Sequence, residues 1–128
     1  MKLQAIAILT FLIFENVMAQ ETTTTKYINS TDMEALKLTQ EWDKTFPQSD
    51  KVEHTKITFH NRYGITLAAD LYKPKNTQGR LVAIAVSGPY GAVKEQVSGR
   101  YAQTLAERGF LTIAFDPSYY GESGGTPR

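Results

Sequence analysis

The chain has 128 residues, room for one domain at most, and its 41% hydrophobic and 21% charged content is that of an ordinary globular protein. Fourteen basic against thirteen acidic residues leave a net charge of +1, with no basic block that would suggest a nucleic-acid partner and no acidic tail. There is no cysteine, which excludes a disulfide framework, a thiolate metal site and a cysteine nucleophile within these residues.

Residues 1–19 read as a signal peptide. A short basic start, Met1-Lys2, precedes the apolar run Leu3 to Phe14, and Val17-Met18-Ala19 ends on the small residue expected before a cleavage site. The run is too short to span a bilayer comfortably, so the mature chain is expected to begin at Gln20, exported and with no stable membrane span. Export without disulfides fits a bacterial periplasm or secretion. Residues 20–50 form a polar tether followed by a short amphipathic helix. Asn29-Ser30-Thr31 is a formal glycosylation acceptor. Thr31 to Glu34 spells a capping box, Ala35, Leu38 and Trp42 share a helical face, and Pro47 ends the element.

Residues 51–128 carry the domain. Val52 to Arg62 alternates, with Val52, His54, Lys56, Thr58 and His60 on a polar face and Ile57 and Phe59 on the other. A turn at Tyr63-Gly64 leads to a second alternating strand, Ile65 to Tyr72, and the two predict an antiparallel hairpin. After the polar loop Lys73 to Arg80, Leu81 to Val86 is apolar on both faces and predicts a strand covered on both sides. Val93, Val97, Tyr101 and Leu105 recur every four residues, predicting a helix with one buried stripe that Gly109 stops. Leu111 to Phe115 is a second doubly apolar strand, and Asp116 stands at its carboxyl end. Two such strands joined through a helix should be parallel. The fold class is therefore α/β, a hairpin followed by a βαβ unit.

Two readings of this unit fail on detail. A dinucleotide site needs G-x-G-x-x-G, whereas SGPYGAVKEQ lacks it and Pro89 removes a backbone donor. GESGG, Gly121 to Gly125, matches the G-x-S-x-G nucleophile elbow in letters. Ser123, however, lies well past the end of the strand and no helix follows it.

Taken together, SGPYGAVKEQ, YAQTLAERGF, LTIAFD and DPSYYGESGGTPR resemble the N-terminal portion of an α/β-hydrolase, and more narrowly the dienelactone-hydrolase-like and acyl-peptidase-like branch. The likeness runs from about Val52 to Arg128, and DPSYYGESGG is a variant of the family's loop after its fourth strand. The resemblance implies a mixed sheet with the hairpin at one edge. It also implies an oxyanion loop after Leu81 to Val86, in which the backbone N–H of Tyr90 is the best candidate donor because Pro89 has none. Lys94 and Glu95 either pin that loop or form a solvated helix start. The implied substrate is a small-molecule or peptide acyl compound, cleaved at an ester, thioester or amide bond in the full-length parent, with no cofactor.

The family's nucleophile, acid and histidine all follow the fourth strand, so none of them is expected among these residues. His54 and His60 read as surface residues of the first strand, and with no acid at ligand spacing they make no metal site. The chain thus reads as the first part of a larger hydrolase domain, inactive as written. The alternative is a non-catalytic exported α/β module that binds a partner through an open sheet edge.

Overall fold

A computed structural model describes residues 35–127. The expected signal peptide, most of the tether and the Thr31–Glu34 capping box lie outside them. Among the described residues are four strands, β1 (Val52–His60), β2 (Thr66–Pro74), β3 (Ala83–Ser87) and β4 (Leu111–Phe115), and one helix, α1 (Val97–Ala106). They form a mixed sheet of order β1-β2-β4-β3. β1 and β2 pair antiparallel from Val52↔Pro74 to His60↔Thr66, β2 and β4 pair antiparallel, and β3 runs parallel to β4. The hairpin and the parallel βαβ unit are therefore where alternation and apolar runs put them.

The hairpin turn is built by Asn61. Its side-chain oxygen accepts from the backbone N–H of Tyr63 (2.9 Å) and of Ile65 (3.1 Å), and Gly64 takes the left-handed φ of 77° that closes the loop.

The hairpin faces in the opposite sense to the one its polarity suggests. Val52, His54 and Lys56 lie on the side covered by residues 42–46. Phe59 and Phe115 meet edge to face on the other side, half-buried. His54 is thus not a surface residue: its side chain is only 15% exposed and lies between Trp42 and Tyr72. His60 is exposed as expected. Residues 35–46, the described part of the expected amphipathic helix, are neither helix nor strand but an irregular strap. It is fastened by Trp42, whose indole N–H donates to Phe46 O (2.8 Å), and by Thr45 N–H, which donates to Glu95 O (2.9 Å). Indole and carbonyl satisfy each other inside the strap, a local bond of the kind that competes with helix hydrogen bonding.

The helix stripe also needs correction. α1 buries Ser98, Gly99, Ala102, Gln103 and Ala106, while Val97 and Tyr101 are 65% and 59% exposed. Val93 precedes the helix altogether. The reason is close approach. A Cβ on Gly99 would strike the carbonyl oxygen of Lys94 and lie 3.1 Å from Tyr72 Oη and 3.2 Å from Phe46 Cζ. At Gly99 only a residue without a side chain fits between α1 and the sheet, so Val97 and Tyr101 are turned outward while Leu105 is half-buried. Thr112 Oγ1 bonds Ala102 O (2.8 Å) across this contact, and Gln103 holds the strap through Ser49 N (3.1 Å) and Pro47 O (3.0 Å). The core is Phe46, Val52, Tyr72, Ala102, Ala106 and Ala114.

β3 is not covered on both faces either. Ala83, Ala85 and Ser87 are exposed, Ile84 and Val86 half-buried, and among the described residues nothing pairs with its outer edge. The same one-sided cover leaves Leu111, Ile113 and Phe115 of β4 half-buried while Thr112 and Ala114 are buried.

Gly99→Ala is expected to lower unfolding stability by about 1–3 kcal/mol through overpacking. Tyr101→Ala, on the outward face, should change it by less than about 0.5 kcal/mol. Urea denaturation midpoints of the two variants check this, and the reverse ranking would restore the apolar stripe as the buried one.

Candidate active-site loop and the ion network beneath it

Two loops meet at the carboxyl ends of the parallel strands, the place where open α/β sheets bind ligands. The first follows β3. Ser87 to Ala92 turns sharply, with Ala92 N–H donating to Pro89 O (3.1 Å) and Gly91 at φ 80°. Among the described residues no acceptor takes the Tyr90 N–H. The Tyr90 side chain is 96% exposed and its ring stands edge-on to that of Tyr120, 5.9 Å between centroids. The second loop, Asp116 to Gly125, follows β4. Together the loops border a half-open pocket of about 130 Å³ lined by Pro89, Tyr90, Pro117 and Tyr120, with Gly88 and Ala92 among its lining.

Asp116 joins the two loops. It is fully buried and accepts from the Lys94 backbone N–H (2.8 Å), the Lys94 ammonium (2.8 Å) and the Glu122 backbone N–H (3.0 Å). Gly121, at φ 51°, is the residue that lets the second loop lie against this carboxylate, since a Cβ there would overlap it. Of the two expectations for Lys94, pinning is the one observed. Lys94 also bonds Glu95 and Glu122 (2.8 Å), and these carboxylates with Asp116 outweigh burial and hold its pKa above the ordinary lysine value.

The pinning pair belongs to a larger set of charges. Lys56 bridges Glu122 (2.6 Å) and Asp43 (2.8 Å), Lys44 bridges Asp43 (2.6 Å) and the buried Asp70 (3.0 Å), and His54 Nε2 lies 2.7 Å from the same Asp70 oxygen. Five carboxylates thus face three ammonium groups and one imidazole. Asp43 and Glu122 are pulled in opposite directions, burial raising their pKa values and the lysine hydrogen bonds lowering them. The lysines win, and both stand at about 2. Burial, with the nearby Asp70 charge, pushes the Tyr72 phenol well above its ordinary range and keeps it neutral.

Asp43, Glu95 and Glu122 converge closely enough to suggest a cation site. The ammonium groups of Lys56 and Lys94 already stand among them, so the position is occupied by the protein's own charges. Sequence reasoning found Lys94, Glu95 and Asp116 but not Asp43, Lys44, Lys56, Asp70 or Glu122. One signal was available: Asp70 is the sole charge in the apolar run Ile65 to Tyr72.

Ser123 is tied into the interior of the fold. It is fully buried, its hydroxyl donates to Asp116 O (2.7 Å) and accepts from Ala68 N (2.9 Å), and the chain at this point is a turn, not a strand-to-helix corner.

No family model matches the chain. It is 71% identical over 107 residues to PA2218, an uncharacterized protein of Pseudomonas aeruginosa, covering 83% of this chain and 29% of that one. It is 51% identical over 79 residues to the uncharacterized YcjY of Escherichia coli, covering 59% and 26%. The chain therefore spans less than a third of the length of these relatives. The crystal structure of PA2218 superposes with a TM-score of 0.73 at 75% identity, over 74% of this chain and 30% of that one. DcsB, solved with a substrate analogue, matches at 26% identity and a TM-score of 0.53, over 59% and 25%. Acetyl xylan esterase 1 of Thermoanaerobacterium matches at 22% and 0.53, over 72% and 26%. These last two are α/β-hydrolase-type proteins, and the sheet described above shares their fold.

The ion network predicts acid sensitivity. The ordinary pKa values are 3.8 for Asp43 and 4.5 for Glu122, and both are depressed to about 2 in the fold. Their stabilisation is therefore present above the unfolded values and lost as pH falls from about 4.5 to about 2. Lys94 contributes in the opposite sense, losing its part only as pH rises through its raised folded value, above the ordinary 10.5. Urea midpoints measured from pH 6 down to about pH 2 should fall steeply through the lower window. Asp43→Asn with Glu122→Gln should flatten that fall, and an unchanged profile would remove these two groups from the account.

Proposed function

We propose that the chain is the N-terminal portion of a longer exported α/β-hydrolase, of the dienelactone-hydrolase-like and acyl-peptidase-like kind, acting on ester, thioester or amide bonds. The observation that carries this reading is the Tyr90 N–H, free at the carboxyl end of β3 beside a pocket, on a loop locked from below by the buried Lys94–Asp116 pair. A donor held in advance where negative charge develops lowers the barrier without reorganising during the reaction. In this role the N–H binds the oxygen of a tetrahedral intermediate. That intermediate forms when a nucleophile attacks the acyl carbon, and it collapses to a covalent acyl-enzyme as the leaving group departs. The nucleophile, its base and the orienting acid are assigned to the part of the longer protein beyond these residues, since Ser123 is buried and structural and His54 is bound to Asp70. Export rests on the apolar segment of residues 1–19.

The β3 edge, unpaired among the described residues, favours a second reading, a binding module that recruits a partner strand there.

The test is a graft. This segment replaces its counterpart in PA2218, and p-nitrophenyl acetate hydrolysis is measured for the graft and for the 128-residue chain alone. Turnover is expected from the graft only, with Tyr90→Pro lowering kcat by about 10²–10³-fold while KM changes little. Turnover by the 128-residue chain that disappears with Ser123→Ala would overturn the assignment.

A further inference from the structure

We propose that Tyr120 sets the size limit of the pocket beside the Tyr90 loop, restricting it to a small, flat, uncharged acyl group of about one six-membered ring. The inference deepens the hydrolase reading and rests on it for calling the bound group an acyl group. The volume of about 130 Å³ is close to that of an apolar cavity known to take benzene, about 150 Å³. The walls are stiff: Pro89 and Pro117 stand on opposite loops, and Gly88 and Ala92 add no bulk. No charged side chain lines the space, so a carboxylate or ammonium entering it would lose hydration without a partner. A carbonyl oxygen carries no charge to desolvate, and the unpaired Tyr90 N–H belongs to a lining residue and is the donor proposed for it.

Of the two residues whose rings border the pocket, Tyr120 is the one with a tied-down backbone. Its N–H donates to Pro117 O (3.2 Å), its carbonyl accepts from Ser123 N–H (3.0 Å), and the flanking loop is clamped to Asp116. Tyr90 stands almost wholly in solvent. The two rings stand edge to face, their centroids 5.9 Å apart. A longer acyl chain would have to move a ring whose backbone is held in place.

Amide resonances of Tyr90 and Gly91 in the ¹⁵N-labelled full chain can be followed during titration with acetamide, benzamide and hexanamide. Benzamide is expected to produce saturable shifts, with hexanamide weaker by on the order of tenfold. Tyr120→Ala should abolish that preference, and Tyr120→Phe, which keeps the ring, should preserve it. The dispersion of each variant's spectrum reports directly that it is folded. Equal binding of hexanamide and benzamide, a preference that survives Tyr120→Ala, or no saturable shift with benzamide would each overturn the inference. Benzamide selectivity in a chain whose PA2218 graft is inactive would retire the hydrolase reading and leave the pocket. A graft that cleaves acetate and hexanoate esters equally well would do the reverse.

Discussion

The arrangement of both loops depends on one buried ion pair, Lys94 with Asp116. Each partner is fully buried, so neither charge can be left alone: removing one member of such a pair typically costs about 3–5 kcal/mol. Asp116 uses its two oxygens on three donors from two different loops, which turns an electrostatic contact into a positional constraint. The turn carrying Tyr90 cannot drift from the strand end without exposing that carboxylate's unmatched charge. The extended network of Asp43, Lys44, Lys56, Asp70, Glu95 and Glu122 then supplies the remaining counter-charges, so that the interior beneath the pocket is ionic and hydrogen-bonded where a small domain would ordinarily be apolar.

That arrangement explains which parts of the fold were legible in the sequence. Alternation in residues 52–72 and two apolar runs around a helix are local signals, and they gave the hairpin and the parallel pair correctly. What alternation does not carry is which side of a strand faces in. His54 and Lys56 looked like a solvent face because an isolated charge prefers water. They lie inside because Asp70, Asp43 and Glu122, distant in sequence, bring compensating charge. The helix misled for a related reason. An apolar series at four-residue spacing normally marks the buried stripe, but the approach of α1 to Tyr72 and Phe46 admits only Gly99, Ala102 and their small neighbours. The constraint is set by a gap between elements, and no single segment's composition encodes it.

The candidate site divides in the same way. Tyr90 was a candidate in the sequence because the resemblance implies a donor in its turn and Pro89 has no N–H. The pocket was not, because Tyr120 belongs to a loop that sequence alone leaves without a position. Only the clamp on Asp116, permitted by Gly121, brings that ring to Tyr90. Among the described residues the β3 edge of the sheet is unpaired, and the face opposite the helix is only half covered.

The sequence separations in the network order events during synthesis. Lys94 meets Asp116 and Glu122 only after 22 and 28 further residues have been added, whereas the β1–β2 hairpin closes on neighbours already made. Until then the Lys94 ammonium keeps its water, and the turn that carries Tyr90 lacks its anchor on the second loop. As the polypeptide leaves the ribosome, the hairpin can form early and the Tyr90 turn is set late. The loop that completes the pocket is therefore also the segment whose arrival switches its geometry on.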